Sequence, residues 1–143
     1  MKISAHVQNR EGFHQVLVKT NEQEQSIAIP PKSSGLGSSV NGGELLFLAL
    51  ATCYCNDIYR EAAKRGIPVE QVDVEVDGDF GGVGDPARNV SFKAKVTAHA
   101  SQEQIEALMR FTDGVAEIQN TLRAGTPVVL SQIEAISLSN PRG

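Results

Sequence analysis

The feature that most constrains the fold is one long helix predicted in the middle of the chain. Asn41 and Glu44 form a capping-box pattern that predicts its start, and Gly66 with Pro68 predicts its end, giving a helix of roughly 22 residues. Every residue from Leu45 to Ala51 is apolar, so this half of the helix has no face suited to water. We therefore expect burial on every side, either in the core or against a second subunit.

The size of the chain bears on how such a helix can be covered. A length of 143 residues fits one domain, and we expect residues 1–143 to form a single domain. A buried helix this long is hard for so small a monomer to cover alone. We therefore expect a homodimer in which the helix lies near the boundary between the subunits.

Charge and cysteine usage exclude several classes of protein. The formal net charge is -4 and the basic residues are scattered, which gives no basic surface for nucleic acid or an anionic membrane. No apolar run reaches spanning length, and residues 1–7 lack the apolar core of a signal peptide. The 2 cysteines, separated by one residue, give no disulfide framework. We expect a cytoplasmic protein that binds neither nucleic acid nor membrane.

Alternating polarity predicts β-strands on both sides of the helix. Before it, residues 2–8 and 14–20 flank a turn and predict a hairpin, followed by a third strand at 25–29. After it, residues 69–77 and 90–99 alternate in the same way. In these two segments acidic side chains face basic ones, which favours antiparallel pairing; the residues are Asp73, Glu75, Lys93 and Lys95.

Two short helices and a final strand are predicted near the C-terminus. Ser101 with Gln104 predicts the cap of the first helix, a break near residues 113–114 separates it from the second, and the second ends around 123–125. Pro127 then opens a predicted strand over 128–138. The order strands, helix, strands, helices, strand predicts an α+β fold.

Cys53, in the apolar part of the long helix, is the main candidate for chemistry. A cysteine there is either a reactive thiol or a small core residue. The thiolate is the reactive form, but Cys53 lies about two turns into the helix, beyond the useful reach of the N-terminal dipole, and burial raises a thiol pKa. A reactive Cys53 therefore needs a cation from elsewhere. Asp57, one turn later, would raise the pKa further, and Arg60 is interpreted as a surface charge.

Other polar residues give weaker signals. Cys55 follows Cys53 by two residues, which places the two side chains about 200° apart around a helix and prevents a disulfide without local unwinding. The three histidines, His6, His14 and His99, lack the spacing of metal ligands. The glycine-rich turn at residues 81–86 is not a phosphate loop, since no helix follows it. We predict no metal and no cofactor.

Three stretches of the sequence resemble a known family. Residues 42–53 and 62–70 look like the central helix of the OsmC/Ohr family, the osmotically induced protein C and organic hydroperoxide resistance proteins. Residues 118–122, with Gly125 and Pro127, are similar to the second helix and closing strand of that family. The resemblance implies an intertwined α+β homodimer, in which a long central helix packs against antiparallel sheets and a site lies at the dimer boundary.

The resemblance also implies roles for single residues. In peroxidase members, a cysteine of the central helix attacks the hydroperoxide and a cysteine of the later helix resolves the sulfenic acid as a disulfide. Cys53 matches the attacking position, whereas the resolving position falls near Ala116. Arg10 roughly matches the family's active-site arginine, which a swapped strand would deliver across the dimer. The carboxylate that holds this arginine falls at Gly43, one residue from Glu44.

Two functional hypotheses follow. The first is an enzyme of oxidative-stress defence that reduces organic hydroperoxides through Cys53; its sulfenic acid would be reduced by an external thiol, because the resolving cysteine is absent. The second is a non-catalytic module that binds a small apolar or electrophilic molecule on the same dimeric scaffold. Fast loss of one thiol with an alkyl hydroperoxide favours the first hypothesis.

Overall fold

The computed structural model describes residues 1–138, which form five strands and three helices. In chain order they are β1 (Ile3–Arg10), β2 (Phe13–Thr20), β3 (Gln23–Ser26), α1 (Gly42–Lys64), β4 (Val69–Asp79), β5 (Arg88–Ala98), α2 (Gln102–Val115) and α3 (Glu117–Arg123). The strands form two separate antiparallel sheets, β1-β2-β3 and β4-β5. The α+β class predicted from the sequence is confirmed.

The N-terminal sheet is built from three strands joined by two tight turns. Gly12, at φ 71°, supports the first turn, and Asn21, at φ 53°, supports the second. The second turn pairs Thr20 with Gln23, so the third strand covers 23–26 rather than the predicted 25–29. Within the described residues, no helix packs extensively against this sheet.

The central helix α1 has the ends that its caps predict. Asn41 and Glu44 form the capping box, with the Glu44 N–H donating to Asn41 Oδ1 at 2.8 Å and the Asn41 N–H donating to Glu44 Oε1 at 3.0 Å. We expected burial on every side of the apolar half of this helix, but in the single chain one side stays exposed. In the single chain Leu45 and Leu48 stay 39% and 59% exposed, because the chain supplies cover mainly on one side.

The core lies where α1 packs on the β4-β5 hairpin and α2. Tyr54, Ile58 and Ala62 follow one another at four-residue spacing on α1 and meet Leu108 of α2. Valines of the hairpin close this cluster, and the hydroxyl of Tyr54 donates to the Met109 carbonyl at 2.9 Å. On the outer face, Asp73 pairs with Lys95 and Glu75 with Lys93, which confirms the predicted antiparallel pairing.

The two C-terminal helices place residues from α3 against α1. α2 begins at a capping box formed by Ser101 and Gln104. The break between α2 and α3 falls at Ala116, with ψ 110°, two residues beyond the position predicted from Asp113 and Gly114. α3 is tied back to α1 by Gln119, whose Nε2 donates to the Leu50 carbonyl at 3.0 Å.

The predicted final strand over residues 128–138 is wrong for the single chain. Residues 126–138 form no helix or strand, and within the described chain they join neither of the two sheets. Large apolar side chains in this segment stay between 77% and 97% exposed. The total accessible surface is 10970 Å², whereas a compact protein of 15.3 kDa exposes about 7,100 Å².

Candidate functional site

Helix geometry brings Cys53 and Asp57 together. They are four residues apart, so their side chains lie on the same face of α1, and Asp57 is buried. The thiol of Cys53 donates to Asp57 Oδ2 at 3.5 Å. The sequence prediction that Asp57 would raise the thiol pKa therefore rests on a direct contact.

α3 supplies the other neighbours of the Cys53 sulfur. Glu117, the first residue of α3, places Oε2 3.7 Å from the sulfur. The backbone N–H of Ile118 also hydrogen-bonds to the sulfur. Both contacts depend on the way α3 folds back on α1, where Gln119 binds the Leu50 carbonyl.

Arg60 joins the carboxylates of this cluster. Its Nη1 lies 3.0 Å from Asp57 Oδ1 and 3.0 Å from Glu117 Oε1, and its Nε lies 2.8 Å from Glu61 Oε2. Arg60 is a surface charge as predicted, with 39% of its side chain exposed, and its guanidinium also links α1 to α3. We call Cys53, Asp57, Arg60 and Glu117 the thiol cluster.

The electrostatics of the thiol cluster keep the sulfur protonated. Burial raises the pKa of the Cys53 thiol, the Ile118 hydrogen bond lowers it, and Asp57 and Glu117 raise it again. Burial, and then a hydrogen bond with Glu117, raise the pKa of the Asp57 carboxyl. The same hydrogen bond lowers the pKa of the Glu117 carboxyl, and Arg60 adds to this. The contact between the two carboxyls therefore shifts their pKa values in opposite directions.

The other two predicted site residues lie apart from Cys53 in the single chain. Arg10 ends β1, and its guanidinium lies over the ring of Phe13, 4.0 Å from the centroid. Glu44 is engaged in the cap of α1, two and a half turns before Cys53. One chain therefore brings neither residue to the sulfur.

Cys55 faces a different part of the molecule. It lines a shallow pocket of about 250 Å³ with Ala51, Thr52, Asn56 and Val74, whereas Cys53 faces α3. Both thiols are free. The two side chains diverge because residues at i and i+2 of a helix point about 200° apart.

A larger cavity opens against α1 at Leu50, about one turn before Cys53. Its volume is about 660 Å³ and most of its wall is apolar, including Leu46, Leu50, Phe80 and Phe92, with Gln119 from α3. This volume is in the range of small-molecule sites. An apolar organic molecule therefore has room beside Leu50, three residues before Cys53 on α1.

The thiol cluster also has the donor atoms of a metal site. The sulfur of Cys53 and one oxygen each of Asp57 and Glu117 lie within 4.8 Å of one another. Arg60, however, already compensates both carboxylates, and a cation at this place would compete with its guanidinium. The geometry favours the ion-paired state.

Glu117 is the residue that sequence reasoning missed. It directly follows Ala116, the position at which a resolving cysteine was sought, and it opens a helix. An acidic residue at this place, paired with the Cys53–Asp57 spacing, was the available signal.

Comparisons with known proteins bear on the fold. A family model described as OsmC-like protein matches residues 35–131. Two similar solved structures, each 16% identical, are an OsmC-like protein from Mycoplasma pneumoniae (TM-score 0.61, covering 85% of this chain and 86% of that one) and an OsmC-like protein of unknown function from Vibrio cholerae (TM-score 0.56, 85% and 93%). A third is an OsmC-like hydroperoxide resistance protein from Jannaschia sp. (16% identity, TM-score 0.51, 94% and 90%).

At these identities the structural likeness establishes a shared fold. No curated protein sequence matches this chain. In residues 1–138, no helix is long and apolar enough to cross a membrane. Because the family model covers more than half of the sequence, the chain belongs to the OsmC-like protein family.

Proposed function

We propose that this protein reduces organic hydroperoxides with the thiol of Cys53. The observation that carries the proposal is the position of that thiol, which lies among three ionisable side chains and about one turn along α1 from a mostly apolar cavity of about 660 Å³. A similar structure, from Jannaschia sp., is an OsmC-like hydroperoxide resistance protein. The cavity favours peroxides with a bulky apolar group over hydrogen peroxide.

The proposed reaction oxidises Cys53 to a sulfenic acid. The sulfur attacks the terminal peroxide oxygen, a sulfur–oxygen bond forms, the oxygen–oxygen bond breaks, and the organic part leaves as an alcohol. Ala116 occupies the position of a resolving cysteine, so this position supplies no thiol to form a disulfide with Cys53. Two equivalents of an external thiol, drawn from a cytoplasmic thiol pool, would return the sulfenic acid to the thiol and yield their disulfide and water.

We further propose that the working form is a homodimer. The single chain exposes roughly 4,000 Å² more surface than a compact protein of its mass. Obligate dimers bury about 1,000–2,500 Å² or more on each subunit, so a second copy would cover a large part of this excess. The apolar residues of 128–138 and the unsupported N-terminal sheet supply much of that surface. A second copy would then bring its own Arg10, held by Glu44, to the sulfur of Cys53.

The first experiment measures the thiol directly. Cumene hydroperoxide is mixed with the reduced protein and the remaining free thiol is followed in time. We expect fast loss of one thiol per chain, abolished by Cys53→Ser and retained by Cys55→Ser. If both thiols react only at the rate of free cysteine, the protein is not a peroxidase.

The second experiment tests delivery of Arg10 across the dimer. We expect Cys53→Ser and Arg10→Gln chains each to be inactive or slow alone. Mixed dimers contain one site with an intact thiol from one chain and an intact arginine from the other, so activity should return on mixing. Failure of complementation, with mixed dimers verified by mass, would show that Arg10 does not act across the boundary.

A second candidate function is favoured by the electrostatics. Burial raises the pKa of the Cys53 thiol and its two acidic neighbours raise it further, which suits a binding module better than a thiolate nucleophile. This module would hold a small apolar molecule in the cavity beside α1. Binding of an apolar dye without any enhanced thiol reactivity would support it.

A further inference from the structure

We propose that Asp57 and Glu117 act as a proton-transfer pair for Cys53, taking the thiol proton and returning one to the departing oxygen. This inference rests on the proposed peroxidase function. It assigns a catalytic role to two carboxyls that touch the reacting sulfur, and it explains how a protonated thiol can attack a peroxide.

Both carboxyls contact the sulfur of Cys53. Oδ2 of Asp57 lies 3.5 Å from the Cys53 sulfur and Oε2 of Glu117 lies 3.7 Å from it. One oxygen of each carboxyl lies within 4.8 Å of the other. A proton can therefore pass from the sulfur to either carboxyl without a bridging water.

Packing fixes the arrangement of the pair. Asp57 is 6% exposed and held by the helix that carries Cys53. Glu117 is more open, but α3 is anchored by the Gln119–Leu50 hydrogen bond, at 3.0 Å. Arg60 binds both carboxyls at 3.0 Å. The guanidinium therefore acts as a positioning residue that keeps two acidic groups in contact.

The surroundings shift the pKa values of the two carboxyls in opposite directions. Burial, and then Glu117, raise the pKa of Asp57, whereas Asp57 and Arg60 lower the pKa of Glu117. Arg60 lies 3.0 Å from both carboxyls and favours their ionised forms. Either carboxylate can therefore accept the thiol proton and pass it on to the departing oxygen.

The step balances within the site. As the sulfur of Cys53 bonds to the terminal oxygen of the hydroperoxide, its proton moves to one of the two carboxylates. The oxygen–oxygen bond breaks, and the protonated carboxyl gives its proton to the alkoxide, which leaves as an alcohol. Sulfur is oxidised to the sulfenic acid, the peroxide is reduced, and the pair ends with the number of protons it had at the start.

Two electrophiles separate this role from simple control of the thiol pKa. Iodoacetamide needs the thiolate but releases iodide, which requires no proton. Cumene hydroperoxide needs the thiolate and also a proton for its leaving oxygen. Asp57→Asn removes a neighbour that raises the thiol pKa, so alkylation at pH 7 should become several-fold faster. Oxidation by cumene hydroperoxide should become about 100-fold slower, because the acid is lost.

Opposite changes in the two rates support the pair, and a parallel rise in both rates overturns it. Glu117→Gln tests the second carboxyl, which is more exposed. We expect the same two changes, faster alkylation and slower oxidation. Glu75→Gln is the matched control, since Glu75 is ion-paired with Lys93 at 3.0 Å on β4, away from the sulfur, and both rates should stay as in the wild type. Circular dichroism and thermal melting check each fold.

The wild-type protein gives an independent reading of the peroxidase function. If its Cys53 reacts with cumene hydroperoxide no faster than free cysteine, the function and the pair fall together. If it reacts faster but Asp57→Asn changes both rates in parallel, only the pair is overturned.

Discussion

The inner half of the molecule, residues 42–123, differs from its outer segments, residues 3–26 and 126–138. Ile58 and Leu108 of the inner half are fully buried, whereas no residue described in the outer segments is. Both parts contain alternating apolar residues, but only β4 and β5 find a helix to cover them. The same sequence pattern therefore gives a core in one place and exposed apolar surface in the other, depending on whether the chain itself supplies the second layer.

Removing a core side chain should give the largest effect on stability. Ile58→Ala deletes atoms that are fully buried between α1 and its neighbours, and the cavity left behind should lower the free energy of unfolding by about 2–5 kcal/mol. Urea denaturation followed by circular dichroism measures this. Val83→Ala, in the exposed turn between β4 and β5, is the control and should change little. Equal losses would contradict the placement of the core.

A variant in the C-terminal segment shows whether the outer surface is covered in solution. Ile133 is 79% exposed in the single chain, so Ile133→Ala would change stability by less than about 0.5 kcal/mol if it stays exposed. In a homodimer that covers this segment, we expect a loss of about 1–2 kcal/mol. Ser131→Ala, in the same segment, is the matched polar control.

The dependence of stability on protein concentration also tests whether a second subunit covers the outer segments. For a dimer, a tenfold rise in concentration adds about 1.4 kcal/mol to the free energy of unfolding. Sedimentation should then give twice the mass of 15.3 kDa. A chain that sediments as a monomer, with a melting temperature independent of concentration, would remove the basis for Arg10 acting from a second copy.

Local signals explain what the sequence could predict. The capping box of Asn41 and Glu44 involves residues three apart, so the start of α1 was predicted to within a residue. The pairing of β4 with β5 followed from opposed charges in a single hairpin. In both cases the interacting residues are close in sequence, and the sequence prediction was right.

Distant contacts explain what it could not predict. Glu117 reaches Cys53 only because Gln119 binds the carbonyl of Leu50, 69 residues away. The predicted strand over 128–138 is absent from the single chain, because alternating polarity in that segment does not specify which sheet edge it would pair with. The role of Arg60 depended on the same return of α3 to α1. Each of these features required the fold before it could be recognised.

Tyr54 tests a polar contact inside the core. Its hydroxyl donates to the Met109 carbonyl at 2.9 Å, so Tyr54→Phe should lower the free energy of unfolding by about 1 kcal/mol at pH 7.

Burial, followed by the charge of Asp113, raises the pKa of Tyr54 to about 12. The folded state then keeps a proton that the unfolded state loses near pH 10, so stability falls as pH rises from about 10 towards 12. Denaturation at pH 9 to 12 should show a shallower fall for the Tyr54→Phe variant, and equal slopes would contradict this contribution.

Glu44 should give the smallest effect, at the point where an outer loop meets the inner half. Its Oε1 accepts from the Asn41 N–H in the cap, and glutamine can make the same hydrogen bond, so Glu44→Gln should leave stability nearly unchanged. If the carboxylate also holds Arg10 of a second chain, its loss weakens an ion pair, and oxidation of Cys53 should slow by about two- to fivefold. Glu44→Ala removes both interactions and should lower stability by about 0.5–1 kcal/mol as well. An unchanged rate in both variants would confine Glu44 to the cap, leaving Asp57 and Glu117 as the carboxyls that act on the sulfur.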